Sequence, residues 1–68
     1  VGRQGVTWRE LTAGDSVYFK WRGGPCEYVS QQDNGHDHCL AYTFRDQHGD
    51  TFVSYERPSD PVYVLRNR

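Results

Sequence analysis

Sixty-eight residues with eight Lys plus Arg against nine Asp plus Glu carry a formal charge of −1, which leaves no global field for gripping nucleic acid. Hydrophobic content is 35% and aromatic content 15%, so one small core must be built from a few bulky rings, in a chain that buries only about 60% of its unfolded surface. No apolar run approaches the roughly 18 residues that cross a bilayer, and two cysteines are too few for a secreted disulfide framework, so an intracellular setting without a membrane partner is expected.

Val1 to Gly5 holds two glycines and no apolar pattern, and reads as a flexible lead-in that leaves residues 6–68 as a single domain. Trp8 and Leu11, ahead of Ala13-Gly14-Asp15, read as a short opening segment that caps one end of the fold before a turn. Ser16 to Trp21 then alternates, with Val17, Phe19 and Trp21 on an inner face and Ser16, Tyr18 and Lys20 outside, the period-2 signature of a half-buried strand. Gly23-Gly24-Pro25 breaks that strand, because glycine accepts positive φ and proline cannot continue a ladder. A second strand, Cys26 to Ser30, leads through an Asn34-Gly35 hairpin turn to a third, His38 to Arg45.

Asp46 to Asp50 is a polar turn, and Thr51 to Glu56 resumes as a fourth strand with Phe52, Val53 and Tyr55 as β-formers. The two prolines of Arg57 to Pro61 bracket Ser-Asp and predict a tight turn or a single 3₁₀ turn, after which Val62 to Leu65 makes the last strand. No segment has helical periodicity. The expected fold is therefore all-β: a small five-stranded SH3-like barrel with a short 3₁₀ turn before the last strand, its closure removing most exposed edges.

Trp21, Tyr28, Tyr42, Phe44, Phe52 and Tyr55 stand at or near strand ends bordering the predicted turns, where rings can gather into a pocket. Such faces attract a desolvated cation by about 0.5 to 2 kcal/mol, enough to hold a methylated ammonium without hydrogen bonds. The competing role of each ring is the core, although adjacent strand positions point to opposite faces, so not all can lie inside. Cys26, His36, His38 and Cys39 are donor types for tetrahedral zinc. They lack a close Cys-x-x-Cys pair, and neighbouring His38 and Cys39 diverge in a strand, so neither metal nor another cofactor is expected. The cysteines instead read as small hydrophobes on paired strands, or as one bridge.

No serine or cysteine sits in an activating motif and no glycine-rich loop precedes a helix, so no catalysis is expected. Arg66-Asn67-Arg68, with Arg57 and Arg3 as neighbours, reads as a solubilising tail, and Tyr63 is the sole ring of the last strand available for stacking on a base.

The stretch from Gly14 to Glu56 resembles a Tudor domain of the methyl-lysine-reading kind. The resemblance is carried by Gly14-Asp15-Ser16-Val17, Lys20-Trp21 before a glycine turn, Tyr28 in the next strand, Phe44-Arg45-Asp46 before a polar turn, and Phe52-Val53. It implies a cage of Trp21, Tyr28, Phe44 and Phe52 with Asp46 facing the ammonium, a methylated histone tail as partner, and a nuclear location. The turns after Trp21 and Phe44 are longer than the pattern's. Beside this reading stand an SH3-like adaptor, viral or bacterial, that binds a protein partner without a cage, and a nucleic-acid contact module using Arg66 and Arg68. Each is a non-catalytic monomer.

Overall fold

Alternation of bulky and polar residues produces a six-stranded antiparallel sheet in the computed structural model, which describes residues 2–33 and 38–66. The strands are β1 (Gly2–Thr7), β2 (Asp15–Phe19), β3 (Gly24–Gln32), β4 (Leu40–Arg45), β5 (Thr51–Glu56) and β6 (Pro61–Arg66). Gly14 and Asp15 open β2 as expected. Gly14 takes φ +96°, and the buried Asp15 carboxylate accepts hydrogen bonds from the amide and hydroxyl of Thr12, at 2.9 and 3.3 Å. This turn satisfies a carboxylate that would be costly to bury alone.

The strand order is β1-β6-β2-β3-β4-β5. β2 to β5 form the expected meander, and β6 returns beside β2 in the register Val17↔Val64. A closed five-stranded ring would need β6 to pair with both β2 and β5. Its second edge is instead taken by β1, from Gly2↔Arg66 to Thr7↔Pro61, so the sheet is not closed into a barrel. Residues 2–5 are therefore corrected from a flexible lead-in to part of a strand over Gly2–Thr7, Val1 lying outside the described residues. Backbone pairing holds that segment, and backbone groups leave no mark in a side-chain pattern.

The 3₁₀ turns also differ from expectation. Arg57 to Asp60 is a tight turn closed by a 3.1 Å bond from the Asp60 amide to the Arg57 carbonyl, whereas 3₁₀ turns form at Trp8–Glu10 and Lys20–Arg22. The first is tied to the Arg57–Asp60 turn, since the amides of Trp8 and Arg9 donate to the carbonyls of Asp60 and Pro58. That anchorage directs Trp8 into the interior, where its ring lies 5.4 Å from Tyr42 and 6.2 Å from Phe44.

The core is Trp8, Leu11, Val17, Cys26, Tyr28, Tyr42, Phe44, Phe52 and Val64. Its rings report that the sheet curls. Phe19 on β2 and Phe52 on β5 are three strands apart, roughly 14 Å in a flat sheet, yet their ring centroids approach to 5.3 Å. A register shift between Tyr28 and Ser30 adds Val29 as a bulge in β3, and a bulge bends its strand.

Candidate functional site

β2 stops at Phe19 because Lys20–Arg22 wind into a 3₁₀ turn, which Gly23 ends at φ +85° with its amide bonded to the Lys20 carbonyl at 3.1 Å. The turn breaks the period-2 alternation. Trp21, expected inward beside Val17 and Phe19, is consequently 65% exposed, with its ring in an edge-to-face contact with Phe52 at 5.2 Å.

Across from this turn, the β4–β5 connection is organised by Asp46. Its Oδ1 accepts from the amides of His48 and Asp50 at 2.9 and 3.0 Å, and its Oδ2 lies 3.4 Å from Nη1 of Arg22. Burial works to raise the Asp46 carboxyl, but the two amides, with the charges of His48 and Arg22, hold it below the usual carboxylate value. Gln47 ties the same connection to the β2–β3 turn by donating from Nε2 to the Pro25 carbonyl at 3.1 Å.

A cation already sits between these elements. The Arg22 guanidinium lies 4.8 Å from the Trp21 ring centroid and 4.3 Å from that of Phe52. Trp21, Phe52 and Asp46 are therefore brought together. Tyr28 and Phe44 do not face that cation: Phe44 is wholly buried and Tyr28 is 7% exposed, both packed among core rings, whereas Phe52, itself a core ring 8% exposed, has the guanidinium over its face. The expected four-ring wall is corrected accordingly, because a chain with so few other large residues spends these rings on its interior. Of the other rings in that group, Tyr42 is buried with its hydroxyl lacking a hydrogen-bond partner among the described residues, and Tyr55 is half-exposed on β5.

A second concavity opens where the pairing of β2 and β6 ends at Val17↔Val64. Beyond that point Tyr18 and Phe19 face Val62 and Tyr63 across a cleft of about 430 Å³, with Trp8, Val17, Val64 and Leu65 completing its lining. Among the described residues no charged side chain lines it. Tyr18 and Tyr63 stand at its rim, 63% and 71% exposed. Sequence reasoning missed this site, although Tyr18 on the polar side of an alternating strand and Tyr63 between two valines were its signals.

Cys26 and Cys39 are free. Burial foremost, with Asp46 nearby, pushes the Cys26 thiol up and away from the thiolate a metal would need. Among the described residues no three metal-ligating side chains converge. His38 and Cys39 instead border a cavity of about 520 Å³ with Asp33, Leu40, Arg57, Pro58 and Ser59. His36 and the Asn34-Gly35 turn lie outside the described residues, as do Asn67 and Arg68. Arg66 is corrected from tail to the last residue of β6, paired with Gly2 and Asp15.

In comparisons with known proteins, no family model, curated protein or solved structure matches this chain.

Proposed function

We propose that this chain is a non-catalytic protein-binding module of SH3-like type, which takes an apolar segment of a partner protein into the cleft between β2 and β6. The uncharged cleft with Tyr18 and Tyr63 at its rim carries this reading. Rings of that size present large apolar area at low entropic cost, which is why tyrosine is enriched where proteins meet. The SH3-like reading is supported by the neighbour order β6-β2-β3-β4-β5 within the sheet, although β5 and β6 do not pair. Two free thiols fit an intracellular setting. The test is retention of a purified partner, once captured, by Tyr18→Ala/Tyr63→Ala protein. Loss of retention with an unchanged melting temperature is expected; undiminished retention removes the cleft from the mechanism.

One observation favours a second reading, recognition of a methylated lysine on a peptide such as a histone tail, with the nuclear location that would follow. Trp21 and Phe52, beside Asp46, hold a cation between them. On this reading the site has two rings, not four. Titration of labelled protein with methylated and unmethylated peptides tests it: shifts at Trp21 and Phe52 for the methylated form alone would support it, and none at millimolar peptide would remove it.

A further inference from the structure

We infer that Trp21, Phe52 and Asp46 form a cation-binding site that Arg22 fills as a tethered plug, and that the ligand it takes when the plug is withdrawn is a quaternary ammonium. This rests on the cation reading above and adds the residue that controls it. Two ring faces and a carboxylate are what a desolvated cation requires, and here they hold one supplied by the chain itself. Trp21 is exposed, so the outer wall of the site is reachable from solvent.

Two features mark Arg22 as an imperfect occupant. Its Nη1 lies 3.4 Å from Asp46 Oδ2, longer than the roughly 2.8 Å of a strong charge-assisted bond. Its Nε is buried with no hydrogen-bond partner among the described residues, and a buried donor without a partner carries its full desolvation cost. A quaternary ammonium has no N–H to leave unsatisfied. Tethering favours Arg22 in return, because a neighbouring side chain competes at an effective concentration of about millimolar or above. Removal of Arg22 would leave Asp46 in position, since its Oδ1 is held by two backbone amides.

The experiment compares wild-type protein with Arg22→Ala, each titrated with tetramethylammonium and with a trimethyllysine peptide. The Trp21 indole N–H is followed by nuclear magnetic resonance, with buried Trp8 as the internal reference. The variant is expected to bind at least about tenfold more tightly than wild type, the population of open site having risen by that factor. Trp21→Ala in the same background, followed instead at the His48 and Asp50 backbone amides bonded to Asp46, is expected to abolish the gain. Equal gains for both probes identify the ammonium group as the whole ligand; a larger gain for the peptide places the source on a protein tail. A folded Arg22→Ala that binds neither probe overturns the site and the cation reading together. Wild type binding as tightly as the variant overturns the plug and leaves the cation reading standing. Arg22→Gln, which keeps the stem without the charge, makes the same comparison if Arg22→Ala does not fold.

Discussion

Phe44 and Trp21 show how unequal two aromatic residues become once their surroundings are fixed. Phe44 is fully buried among Trp8, Phe19, Tyr28 and Phe52, so Phe44→Ala is expected to cost about 3–5 kcal/mol, as large-to-small changes in cores do. Trp21→Ala removes an exposed ring and is expected to cost about 0.5 kcal/mol or little more. Urea denaturation of the two variants checks both values. The sequence marks each ring as aromatic and near a turn, but not which side of the sheet it joins. That depends on where β2 ends, and a three-residue 3₁₀ turn at Lys20–Arg22, which stops β2 at Phe19 two residues short of the expected end, reverses the outcome for Trp21.

Asp46 gives the same scale a pH dependence. Its folded carboxyl lies below its ordinary value, so it contributes stability that is present above the unfolded value of about 3.9 and is lost as pH falls through the folded value. Melting temperature is expected to fall on acidification below about pH 4, and Asp46→Asn to flatten that limb. At the other end, burial foremost raises the Tyr28 and Tyr42 hydroxyls, so stability from their neutral forms is full below about pH 10 and declines as the solution turns more alkaline.

Among the elements, the turns were more legible than the strand ends. Gly14, Gly23 and Gly49 all adopt positive φ at the turns their sequence context announces, whereas the β3 bulge at Val29 has no compositional signature at all. Gly23 matters most for the site, because it ends the turn that presents Trp21 and Arg22. A Cβ there meets nothing within 4 Å, so Gly23→Ala is expected to cost only the left-handed backbone strain, about 1 kcal/mol. Gly24→Ala would place a Cβ 2.8 Å from Nε2 of Gln47 and displace that side chain from the Pro25 carbonyl. Thermal melts are expected to rank Gly24→Ala as the more damaging; the reverse ranking would mean that the Gln47 tie contributes little.

The all-β class and the meander were readable because strand periodicity and turn residues act locally, within a few residues of one another. Neither β1 nor the open seam could be read that way. β1 lies over two glycines without alternation and pairs with the far end of the chain, and its presence on β6 is what denies β5 a partner there. The cleft is a consequence of the same long-range arrangement: β6 diverges from β2 after Val17↔Val64 and leaves Tyr18 and Tyr63 apart. The proposed function lies at the place where two strands part, and amide hydrogen exchange with and without the captured partner addresses it directly. Protection gained at Tyr18, Phe19, Val62 and Tyr63 is the predicted result; protection confined to Trp21, Arg22 and the Asp46 turn would contradict it.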